Sequence, residues 1–159
     1  MNVDKKIEYI SNWIKKYASS LNFQPASLII GVSGGIDSAV TSVLCAKTGF
    51  KTIAISMPIK QNSSQHNLSL KHLEWLNSNF DNVNTITIGL DKVFKSFEET
   101  MKDYNNSLAF ANSRSRLRMV TLYQIAQANK GIVVGTGNKV EDFGVGFYTK
   151  YGDGGVDIS

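Results

Sequence analysis

Short apolar runs and amphipathic stretches alternate along the whole chain. Apolar residues of segment 3–21 recur at spacings of three and four, which predicts an amphipathic helix. The same criterion predicts helices over 39–47, 65–79 and 107–129, with an amphipathic segment over 91–104. Short runs rich in β-branched residues predict a buried strand over 27–32 and further strands over 52–56, 83–88 and 132–135, of which 83–88 alternates apolar and polar residues. This alternation indicates a parallel sheet with helices on both faces, a doubly wound α/β fold of three layers.

Composition narrows the class of protein. The chain has 159 residues, 42% of them hydrophobic, which suits a single domain over 1–159. Its net charge of +4 comes from scattered Lys and Arg residues, so it permits an anionic ligand without indicating a nucleic-acid partner. The one cysteine, Cys45, excludes an internal disulfide framework and is expected to pack on a helix face. No apolar run reaches the roughly 20 residues of a membrane span, so we expect a cytoplasmic protein with no membrane partner.

The most informative block follows the first predicted strand and opens the next helix. It comprises Gly31, Val32, Ser33, Gly34, Gly35, Ile36, Asp37 and Ser38. Glycines allow the backbone to approach a ligand closely, and the N–H groups of a helix N-terminus favour phosphate. The block lacks the lysine of a P-loop and is not a G-x-G-x-x-G motif. An acid such as Asp37 inside an anion-binding loop fits a Mg²⁺ ion held between its carboxylate and the phosphates.

Each residue of this block also has a simpler structural interpretation. Ser33 or Asp37 could cap the helix, and the glycines could serve only to make the turn. For any single residue that interpretation is preferred. The complete block directly after a buried strand instead favours a phosphate loop.

Four motifs together resemble a known family. The SGGIDS sequence is similar to the pyrophosphate loop of N-type ATP pyrophosphatases, which include GMP synthetase, asparagine synthetase, tRNA-modifying enzymes and NAD synthetase. Three later segments, 112–119 (NSRSRLRM), 135–141 (GTGNKVE) and 147–157 (FYTKYGDGGVD), resemble NAD synthetase motifs. The chain is therefore identified as a member of the ammonia-dependent NAD synthetase family. The resemblance implies an adenine nucleotide alpha hydrolase-like fold.

The resemblance also implies a reaction. Members of the family are ligases that amidate deamido-NAD with ammonia, consuming ATP with Mg²⁺ and releasing AMP and pyrophosphate through an adenylated intermediate. They are homodimers, and their chains continue beyond the position of Ser159, so a C-terminal part with further contacts is expected to be missing here. About 30 residues precede the loop, too few for a glutamine-hydrolysing domain. Free ammonia or a separate donor protein is therefore expected to supply the nitrogen.

The family's functional positions can be carried to this chain residue by residue. For ATP they are the loop from Gly31 to Ser38 and Thr136, and for Mg²⁺ they are Asp37 and Glu141. For deamido-NAD they are Arg116, Lys150 and Asp157. Asp157 is also expected to act in catalysis, beside Asp37, by taking a proton from ammonium. His66 and His72 receive no functional role.

Without the motifs that surround them, three of these residues would each be given a purely structural interpretation with no function. Glu141 would be a solvated loop acid, Thr136 a turn residue and Arg116 part of a solvated helix face. The chain also departs from the family pattern twice. It is one residue longer than many members between Glu141 and Lys150, and it reads SMP at 56–58 where many have R-x-P.

Two alternatives compete with NAD synthesis. One is another N-type ATP pyrophosphatase, such as a tRNA-modifying adenylating enzyme, which would suit the pI near 9.1 but should lack the FYTKYGDGG sequence. Its affinity for nucleic acid would fall steeply with salt. The other is a truncated nucleotide-binding module, which would bind ATP weakly and catalyse nothing.

Overall fold

The structure, a computed structural model, describes residues 2–140, 142, 144, 146 and 148–159. Helices in this part of the chain are α1 (Val3–Ser20), α2 (Ile36–Lys47), α3 (Ser63–Asn79), α4 (Asp91–Thr100) and α5 (Ser107–Ala128). A 3₁₀ turn at Lys102–Tyr104 separates α4 from α5. The strands are β1 (Ser27–Gly31), β2 (Lys51–Ser56), β3 (Val83–Thr87) and β4 (Gly131–Val134).

The strands form one parallel sheet in the order β3-β2-β1-β4. From β1 the chain moves outward through β2 to β3, and it then crosses back to place β4 on the other side of β1. Helices α1, α2 and α3 cover one face of the sheet, while α4 and α5 cover the other. The prediction of a doubly wound, three-layer α/β fold is confirmed.

Alternate residues of β1 face the two helical layers. Leu28 and Ile30 pack into the core beneath α1, α2 and α3, together with the buried thiol of Cys45. Ile29 points the opposite way and packs in the core that contains Phe94 of α4. Burial raises the pKa of the Cys45 thiol to about 12. The prediction that Cys45 is a packing residue is therefore confirmed.

Three helices begin at an asparagine cap. The side chains of Asn2, Asn62 and Asn106 accept hydrogen bonds from backbone N–H groups in the first turns of α1, α3 and α5. Such a cap satisfies one of the N–H groups that a helix start leaves without a partner. Asn62 places the start of α3 at Ser63, two residues earlier than predicted.

Two other helix boundaries differ from the predictions. Helix α2 begins at Ile36 rather than at residue 39, because Gly35 adopts an extended N-cap conformation (φ −85°, ψ 159°). Segment 91–104 is not one continuous element, since α4 ends at Thr100 and the chain continues as a 3₁₀ turn.

The apolar stripe predicted on α1 is also only partly buried: Ile14 is 4% exposed, whereas Trp13 is 46% exposed.

The C-terminal residues lie along the outer edge of β4. Ile158 forms a parallel bridge with Val134, and the Ile158 carbonyl oxygen accepts the N–H of Gly135 at 2.7 Å.

Within the described part of the chain, no helix has both the length and the apolar character needed to cross a membrane.

His72 on α3 makes stability depend on pH. Its Nε2 lies 2.8 Å from the buried Ser42 Oγ, and burial lowers its pKa below the ordinary value of 6.5. The unfolded chain therefore takes up a proton at His72 before the folded protein does as the pH falls. We expect the free energy of unfolding to decrease between about pH 7.5 and pH 5.5, and His72→Gln to reduce that decrease. Urea unfolding at both pH values measures it, and an equal decrease in the variant would contradict the prediction.

Candidate functional site

A cleft of about 630 Å³ opens at the carboxyl ends of β1 and β4. The two strands are neighbours, yet β1 is followed in the chain by β2 on one side of it, whereas Ile158, which follows β4 in the chain, pairs with β4 on its other side. Ligands of open α/β sheets bind at such a switch point. Three of the predicted ATP-loop residues line the cleft, namely Gly31, Val32 and Ser33, and so does the predicted ATP residue Thr136. Segments 59–62, 114–115 and 118–119 complete much of the wall.

The loop after β1 is held by its own serines. Ser38 Oγ donates to the Gly35 carbonyl at 2.9 Å and accepts the Ser33 N–H at 3.2 Å, which closes the loop against the first turn of α2. Gly34 has a φ of +92°, a conformation that residues with a side chain rarely adopt. A Cβ at Gly34 would also overlap the Gln65 carbonyl oxygen at the start of α3. The loop therefore requires glycine here on two independent grounds.

Asp37 lies in the first turn of α2, directly after this loop. One oxygen of its half-exposed carboxylate accepts the Asn138 amide at 3.2 Å. Among the residues that the structure describes, no group of three or more His, Cys, Asp or Glu side chains could hold a metal ion. A nucleotide-bound Mg²⁺ ion needs only one or two carboxylates, because phosphate and water oxygens supply its other ligands. Asp37 fits that requirement, whereas the second predicted ligand, Glu141, lies outside the described residues.

Two arginines of α5 form the cationic wall of the cleft. Arg118 donates its Nε–H to the Met57 carbonyl at 3.1 Å, and Arg114 lies 5.7 Å from the centre of the Phe94 ring. Burial, together with the charge of Arg114, lowers the pKa of Arg118, although a guanidinium remains charged at neutral pH. Two guanidinium groups that line the same cleft as the glycine-rich loop favour a polyanionic ligand there.

Two of the sequence motifs form one structural unit beside the cleft. Ser115 Oγ donates to Asp153 Oδ1 at 2.9 Å and accepts the Asp153 N–H at 3.1 Å. The Thr149 N–H donates to the same carboxylate oxygen at 2.9 Å, and its hydroxyl donates to Asn112 at 2.7 Å. A Cβ at Gly152 would overlap Ser115 Oγ. The 149–153 loop is therefore fixed to α5, and Ser115 and Asp153 both line the cleft.

Ser115→Ala should lower the free energy of unfolding by about 1–2 kcal/mol, because it removes two hydrogen bonds to Asp153. Urea unfolding at neutral pH measures the change. Ser113→Ala, two residues earlier on α5, is the matched control and should change stability by no more than about 0.5 kcal/mol. Equal effects of the two substitutions would contradict the role given to Ser115.

The predicted deamido-NAD residues lie outside this cleft. Arg116 donates its Nε–H to the Lys150 carbonyl at 3.0 Å, and Lys150 Nζ lies 5.0 Å from the centre of the Tyr151 ring. Tyr151 in turn lines a second, more open cavity of about 480 Å³ on α5, together with Tyr123. The structure thus brings Arg116 and Lys150 together at the edge of that second cavity.

Asp157 lines neither cavity, but it contacts β4 and Tyr123, which lines the second cavity. Its carboxylate accepts the Val133 N–H at 2.8 Å and the Tyr123 hydroxyl at 3.2 Å. Burial raises the pKa of Tyr123 to about 12, and the neighbouring carboxylate acts in the same direction. Asp157 therefore caps the outer edge of β4 here, and its roles in substrate binding and proton transfer stay predictions.

Sequence reasoning missed several cleft residues. Gln61, which donates its amide to the Ser33 carbonyl at 2.8 Å, and Asp153 received no role. Arg114 and Arg118 received no role either, and both line the cleft. The R-x-R spacing on a helix could not identify them, because only the packing of α5 against β1 and β4 decides which side faces the ligand.

Comparisons with known proteins place this chain in one family. A family model described as NAD synthase matches residues 6–159. The NH(3)-dependent NAD(+) synthetases of Mesoplasma florum and Finegoldia magna are 35% and 36% identical, over 99% of this chain and 63% of their own lengths. The chain thus spans less than two thirds of the length of these curated relatives.

Two solved structures have closely similar folds. An NMN synthetase from Francisella tularensis is 33% identical, with a TM-score of 0.86 over 99% of this chain and 63% of that chain. An NH3-dependent NAD synthetase from Campylobacter jejuni is 26% identical, with a TM-score of 0.86 over 99% of this chain and 66% of that chain. Since the family model covers nearly the whole sequence and relatives above 30% identity agree with it, the chain belongs to the NAD synthase family.

Proposed function

We propose that this chain carries the ATP-binding and adenylating part of an ammonia-dependent NAD synthetase. The reaction is the amidation of deamido-NAD with ammonia, which yields NAD, AMP and pyrophosphate. The observation that carries the proposal is the cleft at the β1–β4 switch point, which the glycine-rich loop lines together with Arg114 and Arg118. Membership of the NAD synthase family supports the choice of substrate.

In the proposed reaction the nicotinate carboxylate attacks the α-phosphorus of ATP, and pyrophosphate leaves. Ammonia then attacks the adenylated carbonyl carbon, loses a proton and displaces AMP. The reaction needs no covalent nucleophile from the protein, because the carboxylate of the substrate attacks, so the residues of the chain act by binding and by stabilising charge. Backbone N–H groups after Ser33, aided by the N-terminus of α2, would hold the phosphates against the two arginines.

Asp37 would hold Mg²⁺, with Glu141 as the proposed second carboxylate. When bound, the ion would neutralise the charge that develops on the leaving pyrophosphate. Arg116, Lys150 and Asp157 would bind deamido-NAD next to the second cavity. A homodimer and a cytoplasmic location belong to the same proposal.

The proposal is tested by incubating the full-length protein with ATP, Mg²⁺, ammonium and deamido-NAD. We expect NAD and AMP in equal amounts, and no AMP when deamido-NAD is omitted. AMP formation that requires tRNA would instead support a tRNA-modifying enzyme. ATP binding without any AMP formation would favour the non-catalytic module. Either result would overturn the proposed reaction.

The Francisella structure supports a second candidate substrate. That protein carries the name NMN synthetase, and its identity to this chain is higher than that of the Campylobacter structure at the same TM-score. Nicotinate mononucleotide is the acid from which NMN forms by amidation, and it would undergo the same adenylation. A parallel assay that compares kcat/KM for nicotinate mononucleotide and deamido-NAD decides between the two. A larger value for the mononucleotide would replace deamido-NAD in the proposal.

A further inference from the structure

Lys60 lines the main cleft together with Ser33 of the phosphate loop, but an acid outside the cleft lining holds its side chain. Its Nζ contacts both carboxylate oxygens of Glu98 on α4, at 2.8 and 2.7 Å. We propose that Lys60 binds the β,γ-phosphate end of ATP and that Glu98 holds this lysine at the cleft mouth until the nucleotide replaces it. The inference rests on the proposed function, since it assigns a residue to the same ATP site.

The backbone of Lys60 is fixed beside the phosphate loop. Its φ of +47° is unusual for a residue with a side chain, and such strain persists only where surrounding contacts enforce it. Asp91 Oδ1 accepts the Lys60 N–H at 2.8 Å. On the other side, the adjacent Gln61 donates its side-chain amide to the Ser33 carbonyl at 2.8 Å. The Lys60 side chain therefore starts from a point that is tied both to α4 and to the loop.

The contact with Glu98 can be exchanged at small cost. The side chains of Lys60 and Glu98 are 57% and 23% exposed, and an ion pair that solvent can reach contributes only about 0–1 kcal/mol. A terminal phosphate of ATP carries more charge than a carboxylate and accepts the same ammonium hydrogen bonds. Arg118 is held differently from Lys60, because the Arg118 Nε–H donates to a backbone carbonyl, that of Met57, and not to an acidic side chain.

Isothermal titration of ATP and of AMP into four proteins tests the proposal: wild type, Lys60→Met, Glu98→Gln and the double variant. Lys60→Met should weaken ATP binding by about five- to tenfold and leave AMP binding unchanged, since AMP lacks the outer phosphates. Glu98→Gln should tighten ATP binding about two- to threefold, because Lys60 no longer has a competing partner. The double variant should match Lys60→Met.

Lys95→Met is the matched control, because Lys95 is an exposed lysine on α4 that pairs with Glu99 at 4.0 Å. It should leave ATP affinity unchanged, which separates a contact with phosphate from a general loss of positive charge. Three results would each overturn the role given to Lys60 while leaving the proposed function in place. They are unchanged ATP binding in Lys60→Met, equal losses of ATP and AMP binding in that variant, and weaker ATP binding in Glu98→Gln. A wild-type protein that does not bind ATP would overturn the proposed function as well.

Discussion

Asp37→Asn is expected to lower the rate of NAD formation at least about 100-fold while the protein stays folded. The side chain is half exposed at the start of α2, and its amide contact with Asn138 is 3.2 Å long, so it contributes little to packing. The substitution keeps the shape of the side chain but removes the charge that would hold Mg²⁺ against the ATP phosphates. Steady-state NAD formation across a Mg²⁺ titration measures the loss, and thermal unfolding checks the fold.

Asp81→Asn provides the control for this experiment, because Asp81 is an exposed acid that precedes β3 and lies outside the lining of the cleft. Its turnover should stay within about twofold of the wild-type value. Normal turnover in Asp37→Asn would refute the metal role. A variant that loses both turnover and its cooperative unfolding transition would show instead that Asp37 supports the fold.

The sheet could be predicted from the sequence because its signals are local. The run Leu28-Ile29-Ile30 is fully buried, as an unbroken apolar stretch between polar segments predicts for a strand covered on both faces. The start of α2 was harder to place. The helix starts at Ile36 after the extended N-cap Gly35, where Ser38 also bonds to Gly35 and Ser33, and hydrophobic periodicity carries no sign of this local geometry.

Of the candidate site, the position of the glycine-rich loop could be predicted from the sequence, but most of the contacts around that loop could not. A glycine-rich block at the carboxyl end of a strand must lie at the ligand-bearing edge of the sheet. Other contacts join residues that are far apart in sequence: Gln61 reaches the Ser33 carbonyl across 28 positions, and Ser115 reaches Asp153 across 38. The contact between Asp157 and the Val133 N–H could not be predicted from the sequence either, because it depends on where the C-terminal segment pairs with β4.

Gly34→Ala should reduce the free energy of unfolding by about 3 kcal/mol and abolish measurable ATP binding. Part of the cost is conformational, because a φ of +92° disfavours any residue with a Cβ by about 1 kcal/mol. The larger part is steric. The new Cβ would overlap the Gln65 carbonyl, which is backbone and cannot rotate away, and would approach the Ser69 N–H at 3.2 Å. Either the phosphate loop or the start of α3 must then move, and both border the cleft.

Gly49→Ala separates these two contributions. Gly49 also has a positive φ, +81°, but no atom lies within 4 Å of the position that its Cβ would take. Its substitution should therefore cost only the conformational part, about 1 kcal/mol, and leave ATP binding unchanged. Urea unfolding and ATP titration of both variants give the difference, which isolates the contact between Gly34 and α3. If the two variants lose equal stability, the overlap between the new Cβ at position 34 and the Gln65 backbone does not destabilise the protein. If Gly34→Ala binds ATP normally, the loop does not need its present conformation to hold the phosphates.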